Sequence, residues 1–401
     1  MKFLKISKKK IILTIFLLAV LLGLAIFIKY RFGNILPVVL PPKWDLPTTI
    51  EKQEVGEPVE IPIKLASSYK IGVFAKSLPG ARDLEFSPGG TLLVSLKSAG
   101  RVVALPDKNN DGKVDAAKNI LTGLGGPHGL DFYGGKLFVA ETRKVSRYSW
   151  DEARLEATFE KELFPLPYNG GHSTRSLTIN KDGRMFVTLG SSCNVCIEKS
   201  EFLASVIVSD VEGTNPRLFA KGLRNSVFIT LNPKTNELWG TEMGRDNLGD
   251  NLPPEEINII RDGGNYGWPI CYDNKIHDTQ FDKNSYIQNP CTDTVAPTFK
   301  MQAHSAPLGL AFINSPQFPN SWQGDLLVSF HGSWNRSVPT GYKVVHLDVE
   351  GNTVKSQEDF LTGFLQGSQA AGRPVDLIFD KHGSLYLSDD KAGAVYKISK
   401  K

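Results

Sequence analysis

The segment Asp83–Leu96 reads DLEFSPGGTLLVSL, in which two short β-rich runs flank a Gly-Gly turn. A unit of the same kind recurs further along the chain, at residues 129–142, 176–190, 227–242, 309–330 and 375–389. After the first, second and last units a third strand-like run follows, at residues 100–105, 144–150 and 393–399. Such alternation, with Gly or Asn in the turns, is typical of antiparallel meanders, and helical periodicity is scarce.

The repeat predicts the architecture. Four-stranded sheets repeated about every fifty residues are the pattern of a β-propeller, which protects its sheet edges by radial closure. A β-sandwich would not repeat one hairpin six times, and a solenoid would have a shorter period. A seventh unit has room only between residues 262 and 307, which look loop-like. We therefore predict an all-β fold, a six-bladed β-propeller over residues 68–401.

The N-terminus carries a candidate membrane anchor. Residues 11–28 are apolar except for Thr14, with five lysines before the run and Lys29 and Arg31 after it. The length is near the lower end of a bilayer span, and the positive-inside rule places the N-terminus in the cytoplasm. A cleaved signal peptide is the alternative, but no small-x-small cleavage pattern follows the run. The prediction is a cytoplasmic tail (1–10), a transmembrane helix (11–28), an extended extracytoplasmic stalk (29–67) and then the propeller, in a single-pass protein of the cell membrane.

The charge of the chain argues against nucleic acid as a partner. Seven of the 46 Lys and Arg residues flank the apolar run, which leaves 39 against 42 acidic residues in the rest. No basic stripe remains to follow a phosphate backbone.

The four cysteines suit an extracytoplasmic compartment. Cys193 and Cys196 form a CxxC pair, and Cys271 and Cys291 flank a polar insertion. Two structural disulfides are the expected state outside the cell. A zinc site is possible on ligand count, although the second pair is too widely spaced for a zinc knuckle, and a redox CxxC would need a thioredoxin-like βαβ context.

Several motifs follow one another in a distinctive order: GGHSTRS (170–176), GSSCNVC (190–196), GLRNSVF (222–228), EMGRDNLGDNLPPEEIN (242–258), GGNYGWP (263–269), FHGSWNRS (330–337) and GRPVDLIF (372–379). In this order they resemble the glucose/sorbosone dehydrogenase family, most closely its sorbosone dehydrogenase-like branch. The resemblance implies a six-bladed propeller that holds pyrroloquinoline quinone (PQQ) and calcium at one mouth and oxidises sugar alcohols or aldehydes by hydride transfer.

His172 lies in a Gly-rich turn directly before a predicted strand, at the position of the family's catalytic histidine. A neutral imidazole can accept a substrate hydroxyl proton because its pKa lies near ambient pH. A lone histidine in a loop is otherwise a polar surface residue. In the sugar dehydrogenase branch an Asp at the end of the following strand assists this base, and a count without a gap places Ser191 there. The resemblance therefore implies the base without its usual helper.

The resemblance also implies a set of cofactor residues. Arg224 and Asn225 match the family's cofactor-binding pair, Arg373 matches a further cofactor arginine, and His331 falls where some members have a cofactor lysine. A tricarboxylate quinone needs fixed cations, and arginine presents a planar fork to carboxylates. Solvated ion pairs are the alternative for each arginine. His128, at a comparable blade entrance, is a further candidate.

Gly244 and Arg245 match the family loop whose backbone carbonyls hold calcium, which would polarise the quinone as a Lewis acid. Asp246, Asp250 and Glu256 could ligate this ion or a second one, or could be ordinary acidic turn residues.

A separate calcium signal is DKNNDGKVD at residues 107–115. Asp107, Asn109 and Asp111, followed by a glycine, match the first half of an EF-hand loop, but Lys118 replaces the Glu of the twelfth position. Asp115 could close a smaller site. We predict a structural calcium site here, with an ordinary Asp-Gly turn as the alternative.

These observations predict a quinoprotein dehydrogenase acting on a sugar or aldehyde, with PQQ and Ca²⁺ as cofactors and a membrane quinone or a cytochrome as electron acceptor. A non-catalytic propeller that binds a ligand is a second hypothesis, because a fold does not fix a function. A calcium-dependent lactonase-like hydrolase is a third. It would need side-chain carboxylates and Asn converging on a metal, whereas this sequence keeps the cations that a tricarboxylate requires.

Overall fold

The computed structural model describes residues 22–23 and 58–401. Within those ranges no helix is long and apolar enough to cross a membrane. The predicted transmembrane segment, except for residues 22–23, and the predicted stalk up to residue 57 lie outside the described residues.

The described chain begins with two strands that join blades formed much later, β1 (Lys64–Leu65) and β2 (Tyr69–Ala75). Blade 1 consists of β3 (Ala81–Phe86), β4 (Leu92–Leu96), β5 (Arg101–Leu105) and β6 (Lys118–Leu121), with a 3₁₀ turn at Lys97–Ala99. Blade 2 consists of β7 (Leu130–Tyr133), β8 (Lys136–Glu141), β9 (Lys144–Asp151) and β10 (Glu156–Pro165). Both are antiparallel meanders, as the repeat predicts.

Blade 3 consists of β11 (Leu177–Ile179), β12 (Arg184–Leu189), β13 (Ser205–Asp210) and β14 (Arg217–Lys221). Blade 4 begins with β15 (Ile229–Leu231), β16 (Leu238–Glu242) and β17 (Glu255–Ile260). The loop-like region after it holds β18 (Gly264–Asn265), which extends blade 3, the small hairpin β19 (Cys271–Tyr272) and β20 (Ile276–His277), and β21 (Phe299–Met301), which completes blade 4. The region is therefore an insertion and not a seventh blade.

Blade 5 consists of β22 (Pro307–Phe312), β23 (Leu326–Phe330), β24 (Lys343–Glu350) and β25 (Thr353–Thr362), with a 3₁₀ turn at Asn320–Trp322, and β1 pairs with its outer edge. A short hairpin, β26 (Leu365–Gln366) and β27 (Gln369–Ala370), leads to blade 6. Blade 6 consists of β28 (Pro374–Phe379), β29 (Leu385–Asp389) and β30 (Ala394–Lys400), and β2 supplies its outer strand. The two ends of the described chain thus close the ring by pairing in one sheet.

The first strand of each blade faces a central channel, and each contacts the first strands of both neighbours in the cyclic order β3, β7, β11, β15, β22, β28. Aspartates bridge some of these contacts: Asp83 accepts the backbone N–H of Leu130 (2.9 Å), and Asp376 accepts that of Leu84 (2.8 Å). Burial raises the pKa of Asp376 to about 7. The prediction of an all-β, six-bladed propeller is confirmed.

The second strand of each blade lies in the core. One residue near its middle is fully buried in every blade: Leu93, Leu137, Val187, Trp239, Leu327 and Leu387. Because both faces of these strands are covered by neighbouring blades, they are buried along nearly their whole length, and β4 (LLVSL) and β23 (LLVSF) are largely apolar rather than alternating. Burial of each such side chain stabilises the fold by about 1.5–3 kcal/mol.

The folded unit begins before residue 68. Val59, Ile61, Ile63 and Leu65 pack against the apolar core shared by blades 5 and 6. The predicted stalk includes residues 58–67, because the stretch from Pro37 to Pro62 is rich in Pro, Thr and Glu and lacks strand alternation. Their apolar side chains instead cover an edge of the propeller.

Candidate active site

Loops of two kinds meet at one mouth of the channel, around a cavity of about 370 Å³. Loops that enter a first strand contribute His172, Arg224, Asn225 and Arg373, and loops that leave a second strand contribute Gly244 and His331. These six residues span some 200 positions of sequence and were all predicted as site residues. Arg82, Asp246, Glu255, His304 and Trp334 complete much of the lining.

The ring of His172 is oriented by Ser191. His172 Nδ1 lies 3.0 Å from the carbonyl oxygen of Ser191 and 3.0 Å from its Oγ. The Ser191 hydroxyl donates to the carbonyl of Cys193 at 2.6 Å, so toward His172 its oxygen acts as an acceptor. Nδ1 therefore carries the proton, and Nε2 keeps a lone pair for a ligand.

The electrostatic surroundings keep this imidazole neutral. Burial, together with the nearby Arg224 guanidinium, lowers the pKa of His172 to about 4. Ser191 thus orients the ring, and the hydrogen bond to its carbonyl partly offsets the lowering of the pKa by burial, but as a neutral partner it raises the pKa less than a carboxylate would.

Close backbone packing requires glycine behind the histidine. A Cβ on Gly190 would lie 2.5 Å from the Cβ of His172 and 2.7 Å from Oδ1 of Asn225. The first residue of the GSSCNVC motif must therefore be glycine, because the chain that leaves β12 passes directly behind His172 and Asn225.

Arg224 is buried, with 6% of its side chain exposed, and is held by protein acceptors on three sides. Nε donates to the carbonyl of Asn194 (2.9 Å), Nη1 to the carbonyl of Gly244 (2.8 Å), and Nη2 to Oδ1 of Asn194 (3.0 Å) and Oδ2 of Asp246 (2.9 Å). The alternative of a solvated ion pair is wrong for this residue, because its charge lies fixed in the wall of the cavity.

Asn225 is held through its backbone. Its N–H donates to Oε1 of Glu242 (2.9 Å), and the hydroxyl of Ser226 donates to Oε2 (2.6 Å). Burial raises the pKa of Glu242 to about 8. The carboxyl group therefore fixes the start of β15 while the Asn225 side chain faces the cavity.

Arg82 and Arg373 form a second cationic group beside His331, whose pKa is lowered to about 4 by burial and by Arg373. Arg373 donates to the carbonyls of His331 (3.0 Å) and Gly332 (2.9 Å). His331 Nε2 and Arg82 Nη1 both contact Asp390, each at 2.9 Å. Burial opposes ionisation of Asp390, but His331, Arg82 and Arg373 outweigh it and hold its pKa well below the usual range.

His128 does not line the cavity. Its ring is fully buried, with Nδ1 3.2 Å from Ser176 Oγ and the ring centroid 5.0 Å from that of Phe228. Among the described residues Nε2 has no hydrogen-bond partner. The expected blade-entrance position is correct, but the side chain turns into the wall, because the glycine after it lies tightly against blade 3.

The cavity fits a tricarboxylate. Arg82, Arg224 and Arg373 place guanidinium groups around one space of about 370 Å³. Arg82 Nε is buried and makes no hydrogen bond within the described part of the chain. A planar cofactor with several carboxylates would meet three fixed positive charges here; Arg82 Nε could donate to it directly, whereas the N–H groups of Arg224 already bond protein acceptors.

The predicted calcium loop fits its ion less well. The Gly244 carbonyl already accepts from Arg224 (2.8 Å), and the Arg245 side chain pairs with Asp278 (2.8 Å) in the insertion, away from the cavity. Glu255, not Glu256, lines the cavity, and it accepts the N–H of Gly244 at 2.8 Å. These carboxylates and carbonyls bond protein donors instead of forming a ligand shell, which also disfavours the hydrolase hypothesis.

The two other acids predicted near this loop have structural partners. The Asp250 carbonyl accepts from Arg336, and its Oδ1 accepts the N–H of Ser337 (2.9 Å). Glu256 is buried on the opposite face of β17, where it accepts from Asn258 (2.9 Å) and burial raises its pKa to about 7. Neither lines the cavity.

The DKNNDGKVD loop lies beside a larger cavity of about 1050 Å³, among turns at the other end of blades 6, 1 and 2. Asp107 accepts the N–H groups of Asp111 (3.1 Å) and Gly112 (3.0 Å), Asn109 also accepts that of Asp111 (3.1 Å), and Asp115 accepts that of Lys108 (2.8 Å). These oxygens stabilise the turn. Of the described residues, only Cys193, Cys196 and Glu198 bring three His, Cys, Asp or Glu ligand atoms within 4.8 Å of one another.

All four cysteines are oxidised, in the bonds Cys193–Cys196 and Cys271–Cys291. The prediction of two disulfides is confirmed. The zinc alternative is wrong, because the sulfur atoms bond each other.

Sequence reasoning missed Arg82, Asn194, Glu255, His304 and Trp334. Trp334 is half exposed at the mouth and belongs to the FHGSWNRS motif, so the motif itself was a usable signal. Arg82 directly precedes the first repeat unit, at a blade entrance like that of Arg373. Nothing in the local pattern distinguishes Glu255 from Glu256.

Known proteins share this architecture. The chain is 29% identical to an uncharacterized protein of Borreliella burgdorferi over 87% of this chain and 93% of that protein. It is 26% identical to a pyrroloquinoline quinone-dependent pyranose dehydrogenase of Coprinopsis cinerea over 84% of this chain, but spans only 54% of that longer protein. The structure of a Trichoderma reesei member of carbohydrate-active enzyme family AA12 superposes with a TM-score of 0.75 at 23% identity, over 87% of this chain and all of that one.

The family model described as TrAA12-like matches residues 63–401, which is nearly all of the described chain. Its start agrees with the propeller edge formed by residues 58–67. The predicted resemblance to quinone-dependent sugar dehydrogenases is confirmed: this chain belongs to the TrAA12-like family.

Proposed function

We propose that this protein is a PQQ- and Ca²⁺-dependent dehydrogenase that oxidises a sugar or an aldehyde, with His172 as general base. The observation that carries the proposal is one cavity in which a neutral imidazole, with Nε2 available, faces three guanidinium groups. Relatives named as quinone-dependent sugar dehydrogenases support the same conclusion.

Arg82, Arg224 and Arg373 would hold the carboxylates of the quinone, and Asn225 would contact its ring system. When bound, PQQ supplies the acceptor for a hydride. The chain's own residues bind and orient the substrate and move the proton: His172 Nε2 accepts the proton of the substrate hydroxyl while its Nδ1–H stays on Ser191. Trp334, at the rim, offers an apolar face on which a sugar ring can stack.

The Ca²⁺ part of the proposal rests on the backbone carbonyls of Gly244 and Arg245. Since Arg224 donates to the Gly244 carbonyl, an ion on that oxygen would require this hydrogen bond to break. Calcium dependence is therefore measured separately from quinone dependence, by titration of the ion after the cofactor is bound.

We also propose that residues 11–28 anchor the protein with its propeller on the extracytoplasmic side, and that electrons leave to a membrane quinone or a cytochrome. Two disulfides support an oxidising compartment. Protease accessibility of the propeller in intact cells, and its retention in membranes after carbonate washing, test the anchor. A propeller released by the wash would contradict it.

Reconstitution of the purified protein with PQQ and Ca²⁺ tests the function. We expect a spectral change on quinone addition and dye reduction with members of a panel of sugars and aldehydes. His172→Asn should abolish turnover and spare quinone binding, while Arg224→Lys should weaken binding. His382→Asn is the matched control, because His382 is exposed on the opposite face. If the protein neither binds the quinone nor turns over any substrate of the panel, the proposal is wrong.

A further inference from the structure

The disulfide-closed tetrapeptide Cys193–Cys196 lies at the mouth, in the connection between β12 and β13. Its base is fixed by Glu198, which accepts the N–H (2.6 Å) and the hydroxyl (2.7 Å) of Ser192. The loop is therefore closed by the disulfide, and two charge-assisted hydrogen bonds to Glu198 hold Ser192, the residue before it.

Asn194, inside this loop, contacts both members of the Arg224–Asp246 ion pair. Its carbonyl accepts from Arg224 Nε (2.9 Å) and from Trp268 Nε1 (3.2 Å). Its Oδ1 accepts from Arg224 Nη2 (3.0 Å) and from the N–H of Asp246 (2.7 Å), while Nδ2 donates to the Asp246 carbonyl (3.1 Å). One side chain thus joins the GLRN loop, 30 residues further along the chain, to the calcium-loop segment, 52 residues further along.

Cys193 contacts the other half of the site. Its carbonyl accepts the Ser191 hydroxyl at 2.6 Å, and this forces the Ser191 oxygen to accept from His172 Nδ1. Released from Cys193, the hydroxyl could donate to Nδ1, in competition with the hydrogen bond from Nδ1–H to the Ser191 carbonyl at 3.0 Å. The proton could then move to Nε2, and that tautomer cannot accept a proton from a substrate.

We propose that the Cys193–Cys196 loop is the positioning element of the active site. Asn194 is the residue that places Arg224 and Asp246, and the Cys193 carbonyl is the group that keeps the Ser191 hydroxyl as a second acceptor of His172 Nδ1–H, beside the Ser191 carbonyl. The role rests on the proposed function, and it assigns the disulfide a task beyond stability. Neither cysteine touches the cavity lining itself, so the action is exerted through Asn194 and Ser191.

The Asn194 half is tested by quinone titration of the full-length protein. Asn194→Ala removes one acceptor of Arg224 and one of the Asp246 N–H, and we expect the Kd for PQQ to rise about tenfold or more. Asn194→Asp keeps the acceptor atom but loses the donor to the Asp246 carbonyl and adds a negative charge beside Arg224, so its Kd should rise as well. Asn289→Ala is the matched control: this exposed asparagine lies inside the other disulfide loop, where its Oδ1 accepts the N–H of Cys291. Its Kd should stay within about twofold of wild type.

The His172 half is tested without any cofactor. Ring ¹⁵N chemical shifts of His172 should report a single Nδ1–H tautomer in the wild type, and a mixture of tautomers in Cys193→Ser/Cys196→Ser, which keeps every acceptor atom but opens the ring. Thermal unfolding of the same samples separates this effect from a loss of fold.

The outcomes distinguish the two proposals. A wild type that binds no PQQ contradicts the proposed function, while the tautomer measurement still decides the role of the loop. A wild type that binds PQQ, with an unchanged Kd in Asn194→Ala and an unchanged tautomer in the double variant, overturns the positioning role. Should the double variant fail to fold, Asn194→Ala decides by itself, through its Kd and its His172 spectrum.

Discussion

The pH dependence of turnover is the most direct consequence of the environment of His172. A general base works only while it is neutral, and burial together with Arg224 lowers the pKa of this imidazole to about 4. Because the pKa is lowered, the neutral form is fully present at neutral pH and is lost only as the pH falls through about 4. The acid limb of the rate profile should therefore lie far below that of an ordinary histidine.

The difference is large enough to measure at one pH. At about pH 5.5 an imidazole with the ordinary pKa of about 6.5 is only about 10% neutral, whereas one with a pKa of about 4 is about 97% neutral. We therefore expect the rate of the reductive half-reaction at this pH to stay within about twofold of its value at about pH 7.5, instead of falling roughly tenfold.

Stopped-flow measurement of quinone reduction, at saturating sugar and from about pH 4 to 8, gives the acid limb of the rate profile. An NMR titration of His172 in the cofactor-free protein gives the pKa independently, with His172→Asn identifying the resonance. An acid limb and a titration midpoint both near 6.5 would refute the reasoning, since they would mean that the ring is solvated or is paired with a carboxylate.

Three further predictions concern residue 191, Arg82 and the loop at residues 107–115. Ser191→Asp places a carboxylate beside Nδ1–H and should raise the pKa of His172 by about one to three units. The acid limb of the rate profile should then move to higher pH. An unmoved acid limb would mean that residue 191 does not face the ring. Arg82→Gln removes the guanidinium whose Nε has no acceptor among the described residues, and it should raise the Kd for PQQ about tenfold in a fluorescence titration. An unchanged Kd would exclude Arg82 from the cofactor site. Calcium should raise the Tm of the wild type more than that of Asp107→Ala, because this carboxylate belongs to the predicted structural loop; equal shifts would assign the loop to turn formation alone.

Much of the fold could be read from the sequence because its signal is local. A strand, a turn and a second strand occupy fifteen to twenty residues, and the physical rules for each act over that distance. Six such units leave radial closure as the arrangement that covers both faces of every sheet. The pairing of Tyr69–Ala75 with Ala394–Lys400 could not be read, since no local pattern states which distant edge a terminal strand will join.

The site was predictable where a motif carries a residue directly to the mouth, as for His172, Arg224 and Arg373. It was not predictable where the outcome depends on which face of a strand turns inward. Glu255 lines the cavity and Glu256 does not, although both are acids at the start of β17. His128 has the expected position in sequence, yet its ring packs into the wall against Phe228.

The sequence by itself determined the six repeated units, the all-β class, the two cysteine pairs and the chemical types gathered at the mouth. Only the tertiary structure decided that the carbonyl and the hydroxyl of Ser191 orient the His172 ring, and that Asn194 joins Arg224 to Asp246. The physical reason is the distance along the chain over which each interaction acts. Alternation and turn chemistry act between near neighbours, whereas a hydrogen bond between loops thirty or fifty residues apart exists only after the blades have closed into a ring.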